Sequence, residues 1–206
     1  FALAVALPNA GNVGGGGFMV VHDARSGRDV ALDFRETAPR GAHRTMYLDD
    51  TGKVVNGKSL YTHYAVGVPG TVAGLAHALQ QWGQLPLAKV IEPAAALAEQ
   101  GYPVSGTLAK VLAQEKKTFA PWPASQAIFW KHGVPMKEGD LLVQKDLAAS
   151  LRLIAKEGAK AFYEGAIAQK IAAEMAPHAG AITLADLKNY KVVEREPVRG
   201  SYRGYE

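Results

Sequence analysis

The residues best placed to do chemistry in this sequence lie in the segment Asp33-Phe34-Arg35-Glu36. The surrounding residues alternate between apolar and polar types, so Asp33 and Arg35 are predicted to point to the same side of a β-strand. A guanidinium group partly held by a neighbouring carboxylate can bind a planar carboxylate through two parallel hydrogen bonds. Arg35 is therefore a candidate for binding an anionic ligand, with Asp33 orienting it, while Glu36 is expected to face the other way. The alternative is an ordinary Arg–Asp ion pair on a solvated face.

A run of four glycines, Gly14 to Gly17, is the second such feature, because glycine-rich loops can bind phosphate groups. Loops of that kind follow a strand and precede a helix. Here the order is reversed, since an apolar helical segment comes first, then the glycines, then a strand. We interpret the tract as a place where the backbone closely approaches a neighbouring element.

Other kinds of catalytic site find no support in the residue pattern. The sequence has no Cys, which excludes thiolate catalysis and cysteine-based metal sites. The six histidines show neither H-x-x-x-H nor H-x-H spacing, so the sequence predicts no metal site. No serine lies in a G-x-S-x-G nucleophile elbow.

Composition narrows the function classes further. The sequence has 206 residues, of which 48% are hydrophobic and 20% charged, as is typical of globular proteins. The formal net charge is +4, but the basic residues are scattered, unlike the clustered pattern of a nucleic-acid-binding surface. No run of about 18 apolar residues occurs, so no membrane span is predicted.

Both ends of the sequence indicate a part of something longer. The segment from Phe1 to Leu7 is apolar on every side and lacks an initiator Met, so we interpret it as the last turns of a helix whose beginning is missing. Residues 201–206 start a strand-like alternation where the sequence stops. We therefore expect residues 1–206 to form a single partial domain, with part of the active site elsewhere.

The elements that must position Arg35 follow from hydrophobic periodicity. Residues 18–22 and 29–36 are predicted to form a hairpin, with Val30, Leu32 and Phe34 on one face. Irregular chain is expected at 37–68 and at 118–145. Helices are predicted at 71–82, 86–100 (interrupted at Pro93), 105–117, 146–157, 159–163, 165–176 and 183–188, and strands near 189–197 and 201–206.

Several segments in order resemble one known family, the γ-glutamyltranspeptidases (glutathione hydrolases). The resemblance is carried by Asn9 to Met19, by Asp33-Phe34-Arg35-Glu36-Thr37-Ala38-Pro39, by Gly67 to Gly74, by Ile91 to Ala94, by Gly101 to Val104, by Phe162 to Gly165, by Ile182 to Leu187 with Tyr190, and by Tyr202 to Tyr205. It extends over the whole sequence.

The resemblance implies an α+β fold, the αββα sandwich of N-terminal-nucleophile hydrolases, incomplete in this sequence. It implies a precursor that cuts itself into a large and a small subunit, with this chain in the middle of the large subunit. The catalytic Thr then begins the small subunit, so no catalytic residue is expected here. Tyr61-Thr62-His63-Tyr64 superficially resembles that Thr segment, but it lacks the second Thr and the Ser, and we reject Thr62 as nucleophile.

The resemblance also implies a function and a site. Arg35 would bind the α-carboxylate of the γ-glutamyl group, and an acyl-enzyme would pass that group to water or to an amino-acid or peptide acceptor. No cofactor or metal is implied, the small subunit is the expected partner, and the expected location is periplasmic or secreted. The alternatives are a related acylase, acting on poly-γ-glutamate or a glutaryl-β-lactam, and a non-catalytic binding homologue.

Overall fold

The computed structural model describes residues 1–205. Among these residues the helices are α1 (Ala2–Ala6), α2 (Thr71–Trp82), α3 (Leu87–Gln100), α4 (Gly106–Gln114), α5 (Lys116–Phe119), α6 (Pro123–Phe129), α7 (Lys145–Glu157), α8 (Lys160–Tyr163), α9 (Ala166–Met175) and α10 (Leu184–Asn189). The strands are β1 (Phe18–Asp23), β2 (Arg28–Asp33), β3 (Tyr102–Pro103), β4 (Trp130–Lys131), β5 (Val134–Pro135), β6 (Leu141–Leu142) and β7 (Val193–Arg195). Two 3₁₀ turns span His63–Ala65 and Ala176–His178.

Arg35 follows the central strand of a three-stranded antiparallel sheet. Strand β2 lies between β1 and β7, and Leu32 pairs with Met19 while Ala31 pairs with Arg195. Val30 and Leu32 are buried on the face that packs towards the helices, as predicted. The opposite face of β1 carries Phe18 and Val20, which are 65% and 73% exposed.

The main hydrophobic core lies between helices α3 and α7. Ala94, Ala95 and Ala98 give α3 a narrow buried face, and small side chains of this kind let two helices approach closely. Leu151 and Ile154 of α7 are fully buried in the same cluster.

The prediction that Pro93 interrupts this helix is wrong, because α3 runs without a break from Leu87 to Gln100. Proline removes one backbone donor from a helix, and here its ring lies on the exposed side. The residues on either side of it, Ile91 and Ala94, are anchored in the core, which holds both halves of the helix in line.

The segment predicted to be irregular at 118–145 is in fact a succession of short elements. It contains the second half of α5, then α6, the β4–β5 hairpin and β6, which pairs with β3. Leu142 lies in a second, smaller core with Val104, Leu108 and Leu112. The hairpin turns at His132 and Gly133, both with positive φ, and elements this short show no clear hydrophobic period.

The two ends of the described chain differ in burial, since the first helix is anchored in the core and the last residues are exposed. Val5 of α1 is fully buried, and its carbonyl accepts hydrogen bonds from the Tyr102 hydroxyl at 2.7 Å and from the Gln144 side chain at 3.1 Å. The strand predicted at 201–206 is absent from its described part, where Tyr202 and Tyr205 close a tight turn; Glu206 lies outside the described residues. None of the helices in residues 1–205 is long and apolar enough to cross a bilayer.

Candidate active site

Arg35 lies just beyond the end of β2, where the regular sheet has stopped. Phe34 still exchanges backbone hydrogen bonds with Gly17, and Thr37 exchanges them with Val68. The Phe34 ring is buried against Gly74 of α2, at a point where a side chain on Gly74 would overlap the ring. The backbone on both sides of Arg35 is therefore fixed by packing and by hydrogen bonds.

Asp33 contacts Arg35 in a way that the sequence pattern did not predict. Its Oδ1 accepts a hydrogen bond from the backbone N–H of Arg35 at 3.1 Å, while Oδ2 accepts one from Nε of Arg195 at 2.9 Å, with the Nη2 of Arg195 also at 2.9 Å. The Arg35 N–H and the Arg195 guanidinium together hold the pKa of the Asp33 carboxyl below its ordinary value. Asp33 thus orders the backbone of Arg35 and binds the guanidinium of a different arginine.

The guanidinium of Arg35 remains accessible. Its side chain is 68% exposed, and its closest carboxylate among the described residues is that of Glu36, with Nε 3.9 Å from Oε2. Glu36 was expected on the opposite face, but it lies three residues beyond the last residue of β2, and its carboxylate is near the Arg35 side chain. At this distance the contact leaves the fork of Arg35 free to bind a carboxylate.

Tyr190 is a part of the site that the residue pattern alone did not identify. Its hydroxyl donates a hydrogen bond to the Arg35 carbonyl at 2.9 Å, although 155 residues separate the two in sequence. Burial, together with the negative charges of Asp33 and Glu36, raises the pKa of Tyr190 to about 12, so the donor proton is retained at neutral pH. The only sequence signal was the place of Tyr190 in the family resemblance.

Tyr190 is itself held by a second tyrosine. Its ring stacks on that of Tyr163, with centroids 5.6 Å apart and planes 12° from parallel. The Tyr163 hydroxyl donates to the carbonyl of Pro69 at 2.9 Å and accepts from the N–H of Ala73 at 3.2 Å. The backbone of Arg35 is in this way connected to the start of α2.

The glycine tract packs against the same stretch of backbone. A Cβ on Gly16 would lie 2.6 Å from the carbonyl oxygen of Phe34 and 2.9 Å from the Cα of Arg35. The carbonyl of Gly15 accepts hydrogen bonds from the N–H groups of Gly70 and Thr71. Glycine is needed at position 16 for close approach, and its φ is not positive.

Thr62 has none of the features of an amino-terminal nucleophile. Its nitrogen is part of the chain, directly before a 3₁₀ turn, and its hydroxyl donates a hydrogen bond to the Lys58 carbonyl at 2.6 Å. It plays a local structural part in the loop.

One group of residues with metal-binding side chains comes together among residues 1–205. It consists of His63, Glu174 and His178, whose candidate ligand atoms all lie within 4.8 Å of one another. The histidine spacings did not reveal it, because one member is a glutamate and another lies in a distant loop. The Glu174-x-x-x-His178 spacing is the signal that could have indicated half of it.

A family model described as Gamma-glutamyltranspeptidase matches residues 1–206. The chain belongs to the γ-glutamyltranspeptidase family. It is 50% identical over 207 residues to a glutathione hydrolase proenzyme of Escherichia coli strain K12, a match that covers 100% of this chain and 36% of that protein. It is also 41% identical over 212 residues to the acylase ACY 1 proenzyme of Pseudomonas sp. strain V22, covering 100% of this chain and 38% of that protein.

The fold agrees with this family. The γ-glutamyltranspeptidase of Helicobacter pylori superposes with a TM-score of 0.96 at 48% identity, over 99% of this chain and 58% of that one. The predicted α+β fold class is confirmed, and the described residues contribute a three-stranded sheet with helices against one face to the sandwich of N-terminal-nucleophile hydrolases. The chain spans little more than a third of the length of its curated relatives.

Proposed function

We propose that the protein carrying this chain hydrolyses or transfers the γ-glutamyl group of glutathione and related γ-glutamyl amides. In this proposal Arg35 binds the α-carboxylate of that group and Asp33 orients Arg35 through its backbone. Membership of the family supports the reaction, and so does the name of the relative in E. coli, a glutathione hydrolase.

The observation that carries the proposal is the contrast between the backbone and the side chain of Arg35. The backbone is held by Asp33, by Tyr190 and by contact with Gly16, while the guanidinium is exposed and only loosely approached by Glu36. A carboxylate ligand binds most favourably to a cationic side chain whose backbone is already fixed and whose hydrogen-bond donors are free, because little conformational entropy is then lost on binding.

The proposed reaction needs groups outside this chain. The nucleophile is the amino-terminal Thr of a small subunit cut from the same precursor, and its α-amine takes the hydroxyl proton. The Thr oxygen attacks the γ-carbonyl, the amine of the substrate leaves with a proton, and an acyl-enzyme forms. Water, an amino acid or a peptide then attacks the ester. Residues 1–206 belong to the large subunit, which supplies the carboxylate site.

A related acylase is the second candidate, because the match to the acylase ACY 1 proenzyme extends over the whole of this chain at 41% identity. Acylase substrates with a glutaryl or a poly-γ-glutamyl group also offer a carboxylate to Arg35, but a glutaryl group lacks the α-amine. The preferred acyl group therefore separates the two candidates, whereas a binding homologue without catalysis would turn over neither.

The test uses the full-length protein and three chromogenic anilides, γ-glutamyl, glutaryl and 4-aminobutyryl, of which the last has no carboxylate. For Arg35→Ala we expect kcat/KM for the γ-glutamyl anilide to fall about 100- to 1,000-fold, since loss of one partner of a paired carboxylate costs roughly 2–4 kcal/mol. Arg35→Lys should recover only part of this, because an ammonium keeps the charge but not the planar fork.

Arg25→Ala is the matched control. The Arg25 side chain is 73% exposed at the other end of the β1–β2 hairpin, and its Nε lies 3.7 Å from Asp23, so it resembles Arg35 in exposure and in its single loose carboxylate. It should keep wild-type kinetics. Turnover of the 4-aminobutyryl anilide should be poor and insensitive to Arg35→Ala. Near-wild-type kcat/KM of both Arg35 variants on the γ-glutamyl anilide would refute the carboxylate role.

The proposed location is periplasmic or extracellular. The support is the family and the bacterial relatives such as that of E. coli. Fractionation of cells that produce the full-length protein, with γ-glutamyl hydrolase activity followed in each fraction, tests this, and activity confined to the cytoplasm would contradict it.

A further inference from the structure

His63, Glu174 and His178 form a compact group on the surface of the molecule. Nε2 of His63 lies 3.3 Å from Oε1 of Glu174, and Nε2 of His178 lies 3.5 Å from the same oxygen. Glu174 is near the end of α9 and His178 is in the following 3₁₀ turn, one helical turn away, so the two share a face. His63 reaches them from the segment that follows β2, across 111 residues of sequence.

These distances are those between neighbouring ligands of a tetrahedral metal. With metal–ligand bonds of about 2.0–2.1 Å, the atoms of a tetrahedron lie about 3.3–3.4 Å apart. Two of the three separations here are already of that size. The third, between the two rings, is no more than 4.8 Å, and it has to shorten by at most about 1.5 Å to complete the set. His178 and Glu174 are half-exposed or more, so their side chains have room to move.

The His63 ring is held in position by its surroundings. Its side chain is only 15% exposed, and the Trp122 ring packs edge-on against it at 5.5 Å. The His178 ring stacks on it at 4.4 Å with the two planes 13° from parallel, and since a metal lies in the plane of each imidazole that binds it, the His178 ring has to turn out of this stack to become a ligand. A ligand whose orientation is fixed before binding loses little conformational entropy when the metal enters. The two exposed ligands can then adjust around the fixed one.

We propose that His63, Glu174 and His178 bind a divalent transition-metal ion, with Zn²⁺ as the ion that this set suits best. Two neutral imidazoles and one carboxylate are borderline ligands that favour Zn²⁺ or Cu²⁺ over Mg²⁺ or Ca²⁺, which prefer sets made of oxygen atoms. Three protein ligands leave the fourth position of the tetrahedron to water.

The site is separate from the proposed reaction. None of its three residues makes a hydrogen bond or ion pair with Arg35 or Asp33 in the part of the chain that the structure describes. Instead the metal would tie the irregular segment between Thr37 and Val68, which contains His63, to helix α9. Its role is that of a clip that stabilises this segment, and its failure would leave the γ-glutamyl proposal untouched.

The test is zinc binding by the full-length protein, purified without a histidine tag and freed of metal with a chelator. We expect calorimetric titration with ZnCl₂ to show one site per chain with a micromolar dissociation constant, and the melting temperature to rise by several degrees with ZnCl₂ but not with MgCl₂. His178→Ala and Glu174→Gln should each weaken zinc binding by about tenfold or more. Both positions are well exposed, so the variants are expected to fold even if His63→Ala does not.

His22→Ala and His77→Ala are the matched controls. Each of these histidines pairs with one carboxylate, His22 with Asp29 at 2.7 Å and His77 with Glu194 at 2.8 Å, and neither has a third ligand among the described residues. Both variants should bind zinc like the wild type. Absence of a saturable site, zinc affinity unchanged in His178→Ala and Glu174→Gln, or equal stabilisation by Mg²⁺ would each overturn the proposal.

Discussion

At the scale of single residues, the site depends on one carboxylate that serves two arginines differently. Asp33 binds the backbone N–H of Arg35 with one oxygen and the guanidinium of Arg195 with the other. If Asp33 bound both guanidinium groups, Arg35 would enter the binding reaction already paired. Pairing with Arg195 balances the negative charge of Asp33, so the Arg35 guanidinium stays available for the carboxylate that we propose it binds.

This arrangement predicts a pH-dependent contribution of Asp33 to stability. The pKa of Asp33 is lower in the folded protein than its ordinary value of 3.8, so the charged form stabilises the fold above that value. The contribution should disappear as the pH falls through the folded-state pKa. In the full-length protein, Asp33→Asn should therefore melt below the wild type at neutral pH, and the difference should shrink as the pH is lowered below about 4.

Two further variants make that measurement specific. Arg195→Ala should lower the melting temperature at neutral pH by less than Asp33→Asn does, because the N–H of Arg35 is the larger cause of the pKa shift and it remains. Asp50→Asn, at an exposed aspartate in the segment after β2, is the control and should leave the melting temperature at neutral pH near that of the wild type. A difference between Asp33→Asn and wild type that stays constant down to acidic pH would contradict the assignment.

At the scale of elements, the glycine tract and the end of β2 form one unit. Gly17 extends the pairing of β1 and β2 beyond the regular strands, and Gly16 lies against the backbone at Arg35. Here glycine allows two backbones to touch, which is why the tract precedes a strand and does not begin a helix.

The tract offers a matched pair of substitutions. A Cβ on Gly16 would lie within 3 Å of three backbone atoms of residues 34–36, whereas a Cβ on Gly14 would have only the Asn12 side chain, at 3.7 Å. Gly16→Ala should cost about 1–3 kcal/mol of stability and lower kcat/KM, since the backbone of Arg35 has to move. Gly14→Ala should change stability by no more than about 0.5 kcal/mol. Equal melting temperatures and kinetics for the two variants would show that close approach is not the reason for glycine at position 16.

The elements near the site were predictable wherever the hydrophobic residues repeat regularly over a whole strand or helix. The β1–β2 hairpin with buried Val30 and Leu32, and the helices at 71–82 and 86–100, follow from alternation and from the 3.6-residue repeat. Regular pairing of β2 ends at Asp33, so the hydrogen bonds that Asp33 makes with the Arg35 N–H and with Arg195 could not be deduced from the alternation.

The contacts that complete the site could not be predicted from local pattern. Tyr190 and Arg195 lie more than 150 residues after Arg35 and Asp33, and the tertiary fold alone brings them together. The same holds for His63 and Glu174. The family resemblance indicated Arg35 and included Tyr190, but it did not say which atoms Asp33 or Tyr190 would contact.

At the scale of the whole molecule, the sheet is covered on one face only within the described residues. Phe18 and Val20 of β1 and Val193 of β7 lie exposed on the other face, an arrangement that is unusual for a free surface. The sandwich fold of the family explains it, because a second sheet would pack there. In our proposal that sheet belongs to the rest of the precursor.

This explanation predicts different effects for two equally exposed valines. Val20 on the sheet is 73% exposed and Val54 in the segment after β2 is 74% exposed. In the full-length protein, Val20→Arg should bury an unpaired charge between two sheets and sharply reduce the yield of folded, processed protein. Val54→Arg should leave yield, processing on a gel and melting temperature near wild type. If both variants behave alike, Val20 is not covered in the full-length protein.

The paired hydrogen bonds between Thr37 and Val68 have a practical consequence. These hydrogen bonds hold together the two ends of the segment between residues 37 and 68. A change in the length of that segment therefore does not have to displace Arg35, which lies outside it. Lengthening such a loop is inexpensive in entropy, at about 0.6 kcal/mol for each doubling. The exposed turn at Gly52, where φ is +80°, is therefore a suitable place to insert a short epitope or fluorophore-binding peptide, which would label the protein without displacing the backbone of Arg35.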